Sequence, residues 1–184
     1  MDIDMKNDVG SVLLSEAQIN EIVEKLAKKI KEDYKNSPNL ILLGILKGSV
    51  MFFSDLMRKI DIPCQMEFMR VSSYSGTKTT GNINILLDLN RVDIGNCDVL
   101  IIEDIIDSGR TLTYLKKYIA GKGARSVRTC TLLDKPSRRE VTFVPDYVGA
   151  EIPDEFVVGY GLDYNDYYRN LPYIGVLKRE IYEK

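Results

Sequence analysis

The run Leu40-Ile41-Leu42-Leu43-Gly44-Ile45-Leu46 contains no polar residue, and Val99-Leu100-Ile101-Ile102 repeats the pattern further along the chain. Such runs are far shorter than the roughly 20 residues a membrane-crossing helix needs. They do not alternate, so as strands they have no polar face to turn to water. They must be covered on both sides, as happens in a parallel sheet between helices. The intervening segments supply those helices. Ser15-Glu16-Ala17-Gln18 has the spacing of a capping box, and Ile19, Ile22, Val23, Leu26 and Ile30 follow at helical intervals. That spacing predicts a first helix of about twenty residues. Val50, Phe53, Leu56 and Met57 mark a second helix, and a third spans about 110–121 with Leu112, Leu115 and Ile119 inward.

Further strands are expected near 64–70 (after Pro63), 83–89, 98–103, 126–133, 147–150 and 156–160, ahead of a tyrosine-rich tail. Strand and helix in alternation predict an α/β domain with a mostly parallel sheet. "SSYSGTKTTGN", residues 72–82, lacks apolar periodicity and reads as a mobile loop. No repeat or long linker divides the 184 residues, so residues 1–184 are expected to form a single domain.

Charge and composition narrow the chemistry. Lys and Arg number 25 against 27 Asp and Glu, and the net charge of −2 gives no global basic field for nucleic acid or an anionic membrane. There is no histidine, which removes Ser-His-Asp hydrolysis, thiol–histidine nucleophiles and histidine acid–base catalysis. Cys64, Cys97 and Cys130 are widely spaced beside apolar runs and form no C-x-x-C pair. They read as buried thiols of a reducing compartment rather than a zinc site. The N-terminus "MDIDMKNDVG" is polar and acidic, unlike a signal peptide, so a cytoplasmic location is expected.

Ligands of open α/β sheets sit beyond the carboxyl ends of the strands. Three of those ends carry unusual residues: Lys47-Gly48, "EDIIDSGRT" from Glu103 to Thr111, and "DKPSRR" from Asp134 to Arg139. The turn from Asp107 through Ser108, Gly109, Arg110 and Thr111 opens a helix and offers consecutive N–H groups and two hydroxyls to an anion. Glu103 and Asp104 would repel a bare phosphate. A ribose 5-phosphate accommodates both features, with its phosphate in the turn, its vicinal hydroxyls on the carboxylates and Mg²⁺ lowering the local charge. The plainer alternative is that Asp107 or Ser108 caps a helix and the two acids are ordinary strand-end charges. Neither a P-loop nor a G-x-G-x-x-G dinucleotide fingerprint is present.

"VLIIEDIIDSGRTL" closely resembles the phosphoribosyl-diphosphate-binding motif of type I phosphoribosyltransferases. "ILKGS" (45–49), "SSYSGT" (72–77), "LLDKPSRR" (132–139) and "FVVGYGLDYNDYYRNLPYIGVL" (156–177) extend the likeness, in order, to the hypoxanthine-guanine branch of that family. The resemblance implies a central, mostly parallel sheet flanked by helices, a small hood built from the N- and C-terminal segments, and a lid loop near 72–82. It also implies an Mg²⁺-dependent reaction in which N9 of a 6-oxopurine displaces pyrophosphate from phosphoribosyl diphosphate.

The residue roles follow from the same resemblance. Glu103 and Asp104 hold the ribose hydroxyls, directly or through metal-bound water, and Asp163 is the second metal-site carboxylate. Asp107 accepts the purine N7 proton or orients the base; a free aspartate, with a pKa near 3.9, is a weak base at neutral pH. Lys135 donates to the O6 carbonyl, a contact that adenine's amino group cannot accept. Phe156 stacks on the purine, Val157 meets the base edge through its backbone, and groups near Asp163 approach the purine 2-position. Arg169 and the Lys47-Gly48 loop, which carries a non-proline cis peptide in the family, bind pyrophosphate. Ser73 and Tyr74 belong to the lid. Relatives form dimers or tetramers, and the segments 50–57 and 64–69 are candidate interfaces. A xanthine-preferring enzyme is one alternative. A nucleic-acid-binding regulator of the same fold is another, disfavoured by the acidic balance and by the single lysine, Lys6, in the first fourteen residues.

Overall fold

Both apolar runs lie at the centre of a six-stranded sheet. A computed structural model describes residues 4–73, 83–89 and 93–183. In chain order its elements are β1 (Val9–Leu14), α1 (Glu16–Tyr34), β2 (Leu40–Leu46), α2 (Val50–Lys59), β3 (Gln65–Ser73), β4 (Ile83–Leu87), β5 (Asp98–Ile106), α3 (Arg110–Gly121), β6 (Ser126–Asp134), β7 (Tyr147–Glu151), β8 (Val157–Val158), β9 (Ile174–Leu177) and α4 (Arg179–Tyr182), with a 3₁₀ turn at Pro136–Arg138. The large sheet runs β4-β3-β2-β5-β6-β7, and every pairing except β3–β4 is parallel. A second, antiparallel sheet, β1-β9-β8, joins the two ends of the chain.

Successive side chains of a strand point to opposite faces, and the two apolar runs feed two cores in that way. Leu40, Leu42, Leu100 and Ile102 pack with Ile19, Val23, Ile30, Phe52, Phe53 and Leu56 of α1 and α2. Ile41, Leu43, Ile45, Val99 and Ile101 pack with Leu112, Leu115 and Ile119 of α3. Helices on both faces of a mostly parallel sheet make this an α/β layer structure. Helix α1 starts where the capping-box spacing puts it: Gln18 N–H donates to Ser15 Oγ at 3.3 Å and Ser15 N–H to Gln18 Oε1 at 2.9 Å. Cys97 and Cys130 are buried and Cys64 half-buried, all three as free thiols.

Several expected boundaries shift. The strand expected at 98–103 continues to Ile106, because Ile105 and Ile106 go on pairing with Leu133 and Asp134. The strand expected at 156–160 shrinks to Val157–Val158, since Gly159 turns the chain with φ 99°. Ser72 and Ser73 belong to β3, and the remainder of the expected loop, 74–82, lies outside the described residues. Strand β1 has little burial to announce it (Val12 is 55% exposed), and its partner β9 lies at the far end of the sequence. The tyrosine-rich tail holds both β9 and the short helix α4. Among the described residues no helix is long and apolar enough to cross a membrane.

Candidate active site

Strand alternation continues past the core into the two acids of β5. Glu103 follows Val99 and Ile101 toward the α3 side, while Asp104 follows Leu100 and Ile102 toward the α1–α2 side. Each acid therefore lines a different cavity. Glu103 borders a cavity of about 250 Å³ with Asp107, Ser108, Gly109 and Thr111. Asp104 borders one of about 550 Å³ with Lys135, Phe156, Val157 and Asp163. Ile105 and Asp107 line both, so the two spaces meet over the end of β5.

The smaller cavity is shaped by the turn into α3. Gly109 is the N-cap, with φ 81°, a left-handed conformation that an L side chain resists. No side chain caps this helix end at the N-cap position, which leaves its first N–H groups facing outward as anion donors. Arg110 N–H reaches Ser108 Oγ at 3.4 Å, but the Arg110 side chain turns away to pair with Glu140 at 2.6 Å. Of that residue, only the main chain belongs with the turn. The segment after β6 braces the turn from the other side. Lys135 N–H donates to the Ile106 carbonyl at 3.0 Å, Glu140 N–H donates to the Ser108 carbonyl at 3.0 Å, and Arg139 binds both the Asp107 carbonyl and the Asp134 carboxylate. Arg139 was not singled out from the sequence, where it reads as one more surface cation beside Pro136.

In the larger cavity Lys135 is 7% exposed. Its ammonium donates to the Glu155 carbonyl at 2.7 Å and lies 4.0 Å from Asp107 Oδ1. An ammonium has three donors and only one is used in a hydrogen bond, so two remain for ligand acceptors. Phe156 is 36% exposed at the mouth, stacked on Tyr182 of α4 at 4.8 Å and met edge-on by Tyr164 at 5.7 Å. Neither tyrosine was legible as a site residue in the sequence, where the tail shows composition but no spacing pattern. Val157 is buried in β8, paired with Val176, which fixes its backbone at the cavity wall.

The third strand end completes the site. The Leu46–Lys47 peptide is cis, in the loop for which the resemblance implied such a bond. A Cβ on Gly48 would collide with the Asp104 carboxylate, and one on Gly161 with the Gly48 carbonyl oxygen. Three chain segments therefore meet there, Gly48 and Gly161 with backbone against backbone and the Asp104 carboxylate against Gly48. Arg169 donates to the Gly161 carbonyl at 2.6 Å and pairs with Asp163 at 2.8 Å and Asp166 at 3.0 Å. Lys47 reaches the same Asp166 oxygen at 2.9 Å. Arg169 also borders a third cavity, about 650 Å³ between α1, α2 and residues 169–172, which holds none of the other site residues. Ser73 is the last residue of β3, and Tyr74 lies outside the described residues.

The electrostatics of the two acids are those of carboxylates awaiting a counter-charge. Burial, reinforced by the neighbouring Asp104 charge, pushes the Glu103 carboxyl well above the usual range, and burial likewise raises Asp104. Among the described residues no cluster of three metal-ligating side chains occurs.

Residues 12–165 match the family model described as a phosphoribosyl transferase domain. The hypoxanthine-guanine phosphoribosyltransferase of Staphylococcus epidermidis is 52% identical over 181 residues, covering 98% of this chain and 100% of the relative. The crystal structure of a hypoxanthine phosphoribosyltransferase from Staphylococcus aureus matches with a TM-score of 0.93 and 49% identity, over 100% of both chains. A Trypanosoma cruzi hypoxanthine phosphoribosyltransferase, in a ternary substrates complex, matches with a TM-score of 0.90 and 41% identity over 96% of this chain and 99% of that one. Likeness running through both sheets and every strand end that builds the site makes this chain a member of the hypoxanthine-guanine phosphoribosyltransferases, in the type I phosphoribosyltransferase family.

Proposed function

We propose that the chain salvages 6-oxopurines, joining hypoxanthine or guanine to phosphoribosyl diphosphate to give IMP or GMP and pyrophosphate. The observation that carries the proposal is the meeting of two cavities at Asp107: an anion turn on one side, and a buried lysine beside an exposed aromatic ring on the other. The turn 107–111 takes the 5′-phosphate, and Glu103 and Asp104 take the ribose diol. Lys135 donates to O6, Phe156 stacks on the base, and the Val157 backbone meets its edge. Asp107, held near Lys135, receives the proton from N7 or fixes the base so that N9 faces C1. Lys47, Gly48 and Arg169 hold the diphosphate as it departs, and Ser73 with Tyr74 begins a lid over about 72–82 that keeps water from the oxocarbenium-like transition state.

Mg²⁺ fits this donor set. It binds through one or two carboxylates plus water and substrate oxygens rather than in an all-protein cage, and a half-buried and a buried acid with no ion-pair partner among the described residues are suited to it. Glu103, Asp104 and Asp163 would hold it. When bound, it supplies positive charge to the sugar hydroxyls and the leaving diphosphate.

The chain is read as one domain, with the β1-β9-β8 sheet as a hood over the purine and a cytoplasmic place of work. It is read as a homodimer or homotetramer joined through 50–57 and 64–69, where Val50, Met51 and Met66 are exposed. Product formation with Mg²⁺, phosphoribosyl diphosphate and hypoxanthine, guanine, xanthine, adenine or uracil tests the function. Hypoxanthine and guanine are expected to turn over, and adenine to lag by roughly 10⁴-fold because it sets donor against donor. Lys135→Met should cut kcat/KM for hypoxanthine by at least ~100-fold without rescuing adenine. Preference for adenine by the unaltered chain would overturn the reading.

A further inference from the structure

Asp166 is an acid placed among cations that the reading above assigns to a departing dianion. One of its oxygens, Oδ1, is shared by Lys47 at 2.9 Å and Arg169 at 3.0 Å, and its side chain is 65% exposed. Those two ion pairs hold its carboxyl below the usual range. The two cations come from opposite sides of the site, one following β2 and the other on the segment after β8. Among the described residues, Asp166 is the one carboxylate ion-paired with both.

The backbone gives a second, independent sign. Tyr164 and Tyr167 exchange reciprocal backbone hydrogen bonds of 3.3 and 3.0 Å, enclosing Asn165 and Asp166 as a two-residue turn. Both central residues have positive φ, 52° and 65°, the signature of a type I′ turn. The preferred sequence for that turn is Asn-Gly. This chain has the expected Asn at the first position and, at the second, Asp, which tolerates the left-handed conformation but less readily than Gly. The Asp166 N–H is in turn anchored to Asp163 Oδ2 at 2.8 Å, which points the carboxylate toward the cations. An Asp that stands where Gly fits best and bridges two cations assigned to the ligand has a task outside the turn.

We infer that Asp166 competes with the diphosphate for Lys47 and Arg169. The inference rests on the assignment of those two residues to the diphosphate. A carboxylate and a diphosphate cannot share one pair of cations without strong like-charge repulsion, so one displaces the other. The competing pairs are exposed and individually weak, which lets the diphosphate win on binding. The cost of displacing Asp166 is returned when the product departs, so Asp166 speeds release of a multiply charged leaving group that would otherwise be held too tightly. Asp166 is thus a positioning residue that acts through Lys47 and Arg169 rather than on the reacting atoms.

Calorimetric titration of the full chain with magnesium pyrophosphate tests this, comparing Asp166→Gly, Asp166→Asn and Lys47→Met with the unaltered protein. Glycine is the residue this turn favours most, so Asp166→Gly removes the carboxylate without endangering the fold. Both Asp166 variants should bind pyrophosphate about 3- to 10-fold more tightly, as expected for losing two exposed ion pairs, and show correspondingly stronger product inhibition with an unchanged KM for hypoxanthine. A purely structural role would not tighten binding. If Lys47→Met weakens pyrophosphate while neither Asp166 variant strengthens it, the competition is refuted and the site assignment stands. If Lys47→Met binds as tightly as the unaltered protein, the assignment of Lys47 fails and the inference falls with it.

Discussion

The two ends of strand β5 hold carboxylates in opposite electrostatic states. Asp98, at the amino end, accepts from Ser37 at 2.6 Å, Ser126 at 2.6 Å and Arg125 Nε at 2.9 Å, and is 6% exposed. Arg125 and the two hydroxyls hold its carboxyl down to about 2. Glu103 and Asp104, half-buried and buried at the other end and in ion-pair contact with no cation among the described residues, are driven upward. A carboxyl depressed on folding stabilises the fold above its unfolded pKa, and the contribution fades as pH falls through the folded value. Asp98 therefore contributes about 2 kcal/mol at neutral pH, lost between pH 4 and 2. Asp98→Asn should lower urea-unfolding stability by about that amount at pH 7, with the gap to the unaltered protein closing as pH drops toward 2. A gap that stays constant with pH would remove this role from Asp98. The sequence betrays none of this: Asp98, Arg125 and Ser37 are scattered polar residues with no common spacing. Glu103, Asp104 and Asp107 were legible because they crowd one turn where a helix N-terminus calls for an anion. Lys135 and Arg169 acquired roles only through family resemblance, since a lone cation beside a proline or a tyrosine has no signature of its own.

At the level of elements, the site is a matter of where strands stop. Strands β2, β5 and β6 run parallel, so the Lys47-Gly48 loop, the 107–111 turn and Lys135 emerge on one edge of the sheet. The loop after β2 is packed more tightly than any side chain allows. A Cβ at position 48 would overlap the Asp104 carboxylate, and the Gly48 carbonyl already abuts Gly161. Gly48→Ala must push Asp104 aside or shift the loop, and overpacking of this kind typically costs about 1–3 kcal/mol. Activity should suffer more than stability, because the displaced group is the carboxylate proposed to hold the ribose. A fall of at least ~100-fold in kcat/KM, with only a modest change in urea midpoint, is expected. Near-normal kinetics would mean the contact between Gly48 and Asp104 does not position the sugar. The central strands and α1–α3 were legible because burial on both faces and helical spacing leave marks that local composition preserves. Strands β1 and β9 were not: they pair across almost the whole chain, β1 is largely exposed, and a short strand without alternation resembles a loop. The continuation of β5 through Ile106 was hidden by its two acids, whose polarity reads as the end of a strand although the backbone pairing goes on.

For the whole molecule, the unresolved quantity is surface. Val50 and Met51 open α2 at 37% and 39% exposure, and Met66 on β3 is 57% exposed, all within the segments proposed to join copies of the chain. Large apolar groups on a domain surface mark contact sites when they cluster, and a self-complementary patch yields a two-fold dimer. The position of α2 gives such an assembly a consequence for catalysis. Its first turn follows directly on Lys47, Gly48 and Ser49, so a partner packed against Val50 and Met51 would brace the loop proposed to hold the diphosphate. The Ser49 hydroxyl, buried and bonded to the Ile45 carbonyl at 2.6 Å, ties that loop back to β2 from within. A partner would act on its outer side. Placing charge in the proposed interface by the double change Met51→Glu and Met66→Glu should convert the proposed oligomer to monomer in sedimentation velocity, since burying unpaired carboxylates is strongly unfavourable. The monomer should keep its circular dichroism spectrum, show a KM for phosphoribosyl diphosphate several-fold higher, and leave the KM for hypoxanthine nearly unchanged, because Lys135 and Phe156 lie on other strand ends. A variant that sediments like the unaltered protein would move the interface elsewhere. A monomer with unaltered KM for both substrates would separate assembly from the diphosphate loop altogether.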